Sequence, residues 1–374
     1  MLDDIRRKWI LQLRGAAATG LVLAAAVLAA GCSSIGPGTV TRDRLDYTTA
    51  VAESWQRQML LNLVKLRYGD TPMFLEVGQI VAGYQVQSTF SVAGTSNNLQ
   101  NNTIGGINSS IGLGAQGQFI DRPTVTYAPL SGEQFARQLL TPIPPASILS
   151  LAQGGTPIDL VFRLTVQEIN GIRNQPSGDL QTHPADPEFY ELLARLRRVQ
   201  SAGALSLRVM RQDKGGTTLI TLRQQGGTPD ESDSIAIRKL LGLDTGAGEF
   251  AVVYGSLAAN DKEIAILSRS ILQVLSAVAR SITVPEPHVV QHRTSANTGM
   301  EMGPTGPIAP LVQVHSSSEP PKDAAVAVPY RGYWFWIDDR DLLSKRVFSF
   351  LLFAFAMVDT GSKGPAPVLT IPAQ

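Results

Sequence analysis

The sequence predicts an α+β fold: a mixed or antiparallel sheet, several helices, and one long, charge-free amphipathic β-hairpin. Three observations lead there. Strand-like and helix-like periods mix along the chain without the βαβ rhythm of a doubly wound sheet. Hydrophobic residues make up 44% of 374 positions, enough to fill the core of one large domain or two ordinary ones. The third is a gap in the charge pattern. Val77 to Ile120 contains no Asp, Glu, Lys or Arg, although 17% of the whole chain is charged. About seven charges would fall in such a stretch at that frequency.

The N-terminus reads as a targeting segment. Arg6, Arg7, Lys8 and Arg14 precede an apolar run from Gly15 to Ala30, and small residues then lead to Cys32, the only cysteine. The run is short for a membrane span, which takes about 20 apolar residues, and fits a signal peptide. Leu28-Ala29-Ala30-Gly31-Cys32 resembles the lipobox of bacterial lipoproteins. The resemblance covers this N-terminal stretch alone. It implies cleavage between Gly31 and Cys32 and acylation of Cys32, which requires a thiol. It implies membrane lipid as a partner. With Ser33 following the cysteine, it also implies the outer membrane of a Gram-negative bacterium, facing the periplasm. Residues 1–31 are then a cleaved signal peptide. Residues 32–45, with Gly36, Pro37 and Gly38, read as a flexible tether.

An N-terminal α+β region is expected over 46–180. It opens with a helix from Asp46 to Tyr68, with Val51, Trp55, Met59, Leu63 and Leu66 at helical spacing and Gly69 and Pro72 ending it. The hairpin follows over 79–119. Ile80, Tyr84, Val86, Phe90 and Val92 share one parity, and Gln79, Gln85, Gln87, Thr89 and Ser91 take the other. After Asn97, Asn98, Asn101 and Asn102 the alternation resumes, with Ile107, Ile111, Leu113 and Phe119 on one parity and small or amide residues between them. Two readings compete. A soluble hairpin laid on a core alternates in this way, but its wet face and edges normally carry Lys or Glu. A membrane-spanning hairpin alternates lipid-facing and lumen-facing residues over about 9–11 residues per strand. A single hairpin leaves open edges that lipid does not tolerate, so several copies would have to share a ring.

Pro123 to Tyr127 reads as a strand. A helix capped by Ser131 with Gln134 reaching back follows, then a helical turn at Ile148–Ala152 after Ser147. Asp159 to Ile172 fits strand and helix alike. Polar Asn174 to Asp186 reads as a boundary, and Pro187 as a helix start opening a C-terminal α+β region over 187–374. There, Leu205–Met210 and Thr217–Leu222 form a hairpin across Gly215-Gly216, Ser234–Leu241 a helix and Phe250–Tyr254 a strand. Asn260 is read as the cap of one helix running to Ile282. Residues 284–323 are read as a mobile loop exposing Met300 and Met302, with a short strand at Leu311–Val314. A single strand from Ala325 to Ile337, a helix capped by Asp341 and a strand at Val368–Ile371 complete the chain.

Chemistry is sparse. No Gly-x-Ser-x-Gly elbow, Ser-x-x-Lys pair or phosphate-cradling Gly-rich loop is present. His288 and His292 are four apart, a zinc-ligand spacing on a helix, but Pro285 and Pro287 disturb it and no Glu stands between them. Asp338, Asp339 and Asp341 could hold a hard cation; cap duty at a helix start explains them equally. Tyr333, Trp334 and Trp336 could stack a glycan or peptide, or lie in a core. No cofactor is implied. The net charge is +1; residues 1–31 contribute +2, which leaves −1 from Cys32 onward, and a near-neutral chain argues against nucleic acid as a partner. The leading expectation is a non-enzymatic envelope assembly or export component, associating with itself or with other envelope proteins. The alternatives are a monomeric binding lipoprotein using the aromatic strand, and an envelope hydrolase using the three aspartates.

Overall fold

A computed structural model describes residues 37–81, 84–96, 109–121, 124–177, 183–212, 215–222, 229–297, 299, 301–303, 306–358 and 369–372. Among them are nine helices with antiparallel and mixed sheets, the expected α+β fold, and no sheet closes into a barrel. Gly31, Cys32, Ile107 and Met300 lie outside the described residues, as do the four connecting asparagines of the hairpin.

An N-terminal unit ends at Gln56 and is described from Pro37; the body runs from Arg57 to Gln374. The first helix, α1 (Pro37–Arg67), begins inside the segment read as a tether. Pro37 suits a first helical position, and no Gly or Pro interrupts Thr39–Tyr68. The helix ends in a Schellman turn. Asp70 N–H donates to the Lys65 carbonyl at 2.8 Å and Gly69 N–H to that of Leu66 at 3.1 Å. Gly69, at φ 72°, supplies the left-handed residue this turn needs.

Next come the strands of the hairpin. β1 (Phe74–Val81) pairs with β4 (Thr124–Leu130), and between them β2 (Tyr84–Ser96) pairs with β3 (Ser109–Asp121). The C-terminal strand β16 (Leu369–Pro372) joins β4 on its other side, giving the order β1-β4-β16. β2 and β3 form a separate two-stranded ribbon.

Helix α2 (Glu133–Leu140) starts at Gly132, φ 94°, with no side-chain cap, so Ser131 does not hold the cap position. Likewise Pro144, not Ser147, precedes α3 (Pro145–Gln153). The ambiguous segment contains both elements: α4 (Ile158–Thr165), then β5 (Val166–Ile169), turning into β6 (Ile172–Arg173). Pro187 opens α5 (Pro187–Ser201) as expected. β7 (Leu205–Gln212) and β8 (Gly215–Leu222) pair, with Gly215 and Gly216 inside the strand and not at the bend. After α6 (Pro229–Leu241), β9 (Glu249–Tyr254) lies parallel to β10 (Glu263–Ser268) in a six-stranded sheet of order β6-β5-β10-β9-β8-β7.

That strand corrects the helix read over 260–282. Ile264, Ala265 and Ile266 are buried between β9 and β5, and the helix proper is α7 (Ile271–Ala279). Ser270 and Gln273 cap it reciprocally, a box the period alone concealed. β10, buried along most of its length, has no wet face to mark it as a strand.

The segment 284–323 is more ordered than a mobile loop. It holds α8 (Glu286–Val290), a small hairpin of β11 (Glu301–Gly303) and β12 (Gly306–Ile308), and β13 (His315–Ser317), and Val284, Val312 and Val314 are buried. Met302 is exposed, as expected. The long strand at 325–337 is two strands, β14 (Ala324–Tyr330) and β15 (Tyr333–Asp338), in the order β13-β15-β14. Arg331 and Gly332, at φ 49° and 85°, make the two-residue turn whose twist suits a hairpin. α9 (Leu342–Val358) follows its Asp341 cap. No described helix is long and apolar enough to cross a membrane.

Two hydrophobic clusters fill the body. One joins Leu60, Leu63 and Phe74 to Leu275, Phe335, Val347 and Phe355. The other gathers Ile148, Phe162, Phe189, Leu192, Phe250 and Ile266, on both sides of Asn174–Asp186.

Candidate functional site

The feature that stands apart is the ribbon and its root. Within the ribbon, Val86 lies opposite Phe119, Phe90 opposite Ala115, and Val92 opposite Leu113; Gln87 lies opposite Gln118 and Thr89 opposite Gln116. Directly opposed residues of an antiparallel pair share a face. The register therefore sets the apolar series of both strands on one face, interrupted by the Ser88–Gly117 pair, and most of the amide, hydroxyl and glycine residues on the other, where Ile120 lies opposite Gln85. Tyr84 and Ile111 fall on the apolar face, opposite Asp121 and Gly94. A slip by one residue would destroy this match. At the root, after Phe74, no residue of β1 and none of β4 is buried. Ile80 is half-buried and Val81 is 49% exposed. A hairpin laid on a core would bury one parity; here neither parity supplies a buried face.

Two side-chain amides of α1 hold the root. Gln58 accepts from Leu75 N–H at 2.7 Å and donates to the Leu75 carbonyl at 2.9 Å. Asn62, one turn on, accepts from Met73 N–H at 2.9 Å and donates to its carbonyl at 2.7 Å. Spaced four apart on the helix and two apart on the strand, these amides imitate a neighbouring strand along the edge of β1. Phe74, between Met73 and Leu75, stacks on Phe355 of α9 at 4.3 Å and meets Phe135 of α2 edge-on at 6.2 Å.

Below the root lies a polar and aromatic latch. Asp70 accepts hydrogen bonds from the Tyr330 hydroxyl and from Arg331 at 2.8 Å. Tyr330 and then Arg331 hold its carboxyl below the usual aspartate range. The Arg331 guanidinium lies over Tyr68 and Tyr330, 5.4 and 5.5 Å from their ring centroids. The Tyr68 hydroxyl is 2.7 Å from His288 Nδ1, and burial pushes the phenol up to about 12. With that phenol protonated and the ring proton of a neutral His288 on Nε2, His288 Nδ1 accepts a hydrogen bond from the Tyr68 hydroxyl. Burial, with help from Arg293 and Arg331, lowers the His288 pKa. The unfolded chain therefore takes up a proton at the ordinary histidine value, near 6.5, before the folded chain does. Stability is full above that value and falls as pH drops below it. The urea midpoint should fall between pH 7.5 and 5.5, and His288→Gln should reduce the fall. An equal fall in both proteins would remove His288 as its source.

The remaining candidate residues are dispersed. β15 separates its aromatics. Tyr333 packs against His288 at 5.0 Å, on the face of buried Phe335 and Ile337. Trp334 and Trp336 occupy the other face, where Trp336 lies 4.7 Å from His315 and its Nε1 is buried without a hydrogen-bond partner among the described residues. The three aspartates serve three partners. Asp338 accepts from Arg340 N–H at 2.8 Å, Asp339 pairs with Lys345 at 2.6 Å, and Asp341 accepts from Ser344 N–H at 3.0 Å and Ser344 Oγ at 2.6 Å. Asp341→Ala should cost about 0.5–2 kcal/mol in a denaturant titration, the range for a lost helix cap; no loss would contradict the cap role. His288 and His292 do not share a helix, since His292, at φ 55°, lies beyond the end of α8. Among the described residues no cluster of three or more His, Cys, Asp or Glu could hold a metal ion.

An open cleft of about 350 Å³ lies beside Gln153, Arg197, Gln200 and Leu205. Gln200 is already committed there, donating to the Ala152 and Thr156 carbonyls and accepting from Ile158 N–H. Sequence reading missed Gln58, Asn62, Asp70, Tyr330 and Arg331. A signal existed for the first two: amides four apart, beside the apolar stripe of a helix, immediately before a strand. The chain matches no protein-family model, no curated protein and no solved structure.

Proposed function

We propose that this chain is a lipid-anchored outer-membrane component without enzymatic activity. It serves envelope assembly or export as an oligomer, and each copy gives its β2–β3 ribbon to a shared transmembrane barrel. The observation that carries this reading is the ribbon's register, which aligns two apolar series on one face and two uncharged polar series on the other. Strands of 13 residues extend about 40 Å at about 3.3 Å per residue. Tilted by about 40°, they still cover the ~30 Å hydrocarbon core. The open faces of the root suit a segment that leaves the body. Acylated Cys32, just ahead of α1, would hold the chain at the membrane surface; labelled palmitate should enter the wild type and not Cys32→Ser.

The test is conductance of the purified full-length protein in planar bilayers. Stepwise currents, made more cation-selective by Gln87→Glu on the polar face, support the barrel. A protein that stays silent in the bilayer overturns it.

A second reading, a monomeric binding lipoprotein, draws on the unpartnered Nε1 of Trp336 beside Trp334 and His315. It predicts ligand-dependent quenching of tryptophan fluorescence that Trp336→Phe abolishes. The hydrolase reading has no such support, because each aspartate has a structural partner.

A further inference from the structure

Resting on the barrel reading, we infer that a second copy of this chain occupies the free edges of the ribbon, β2 of one copy pairing antiparallel with β3 of the next. The sheet defends its edges only at the root. On one side Gln58 and Asn62 take up the backbone groups of Leu75 and Met73. On the other, β16 covers β4 from Thr124 to Tyr127. A bulge between Val77 and Gln79 further disturbs the β1 edge. Where β2 begins and β3 ends, these defences stop. Among the described residues no strand pairs with the outer edge of either, and no charge stands between Tyr84 and Ile120 to discourage pairing. A two-stranded ribbon is marginal alone in water, and an open edge is not tolerated in lipid.

Identical copies arranged head to tail satisfy both edges through one repeated contact, and closing the ring leaves none open. The occupant must also match the ribbon face to face. The apolar series has even numbers in β2 and odd numbers in β3, so a contact between copies must join even to odd positions, as the contact within each chain does. A second ribbon of the same sequence does this at any stagger of an even number of residues. An odd stagger would set apolar residues against polar ones.

The experiment uses pairs of differently tagged full-length chains, co-expressed and oxidised in the membrane. One carries Thr89→Cys. The other carries a cysteine at Gly112, Gly114, Gln116, Gln118 or Ile120, or at the control positions Ala115 and Gly117. Wild type sets the background from Cys32. The inference predicts a mixed-tag disulfide at one or two of the five even positions, none at the controls, and none from Thr89→Cys alone. Dimers of Thr89→Cys alone, cross-links at the controls, or no cross-link anywhere would each overturn it. Conductance separates the two readings. Currents without cross-links leave the barrel standing and remove this pairing, whereas loss of both brings down both.

Discussion

Val86→Arg is expected to keep the hairpin out of the bilayer, whereas with Gln87→Glu the hairpin inserts as in the wild type. Position 86 belongs to the apolar series and lies opposite Phe119, while position 87 belongs to the polar series and lies opposite Gln118. An arginine facing lipid near the bilayer midplane costs about 2–4 kcal/mol, and a ring incurs that cost once per copy. An acid facing a water-filled lumen costs little. Leu113→Arg, opposite Val92, should fail as Val86→Arg does. The measurement is the fraction of hairpin protected from added protease in washed membranes. Equal protection in all three variants would mean that the apolar face does not meet lipid.

Asn62→Leu should destabilise the body by about 2–3 kcal/mol in urea. Asn62 is 1% exposed, and both ends of its amide are bonded to Met73. Leucine keeps the forked shape, with somewhat more bulk, and removes both partners, leaving an N–H and a carbonyl at the helix–strand contact without them. The cost of leaving such groups unpaired is roughly 1–3 kcal/mol. The Gln58 bonds are exposed, so water replaces them and Gln58→Leu should cost under about 1 kcal/mol. If the two variants lost the same stability, the two amides would not differ in burial as the structure has them. Because Met73 and Leu75 begin the hairpin, loosening this contact should also raise protease cleavage near residue 70.

The parts of this molecule that could be read from its sequence are those with one wet face and one dry face. The hairpin announced itself because its residues alternate, and the observed register agrees with that alternation across both strands. Pro187 and Asp341 marked helix starts because their chemistry is local: a fixed φ in one case, a carboxylate accepting from Ser344 in the other. Where burial is complete the pattern fell silent. Glu263–Ser268 and Ile271–Ala279 merged into one apolar run because the strand is buried along most of its length, and Ile264 and Leu267 in it continue the three-and-four spacing of Ile271, Val274 and Val278 in the helix. The turn at Arg331-Gly332 was concealed among aromatic residues, since arginine rarely takes a positive φ. The latch joins Tyr68 and Asp70 to His288, Tyr330 and Arg331 across more than two hundred residues, and no local spacing foretells a contact of that range. The amides of Gln58 and Asn62 were visible as residues and invisible as partners, because their role exists only when β1 lies beside the helix.

The most direct test of the central claim is the native mass of the full-length protein, extracted from outer membranes in mild detergent, with and without Val77–Ile120. The shared-barrel account predicts a closed multimer of fixed size from the intact chain and a monomer from the deletion. A monomer from both would contradict it and place the charge-free hairpin in a soluble protein.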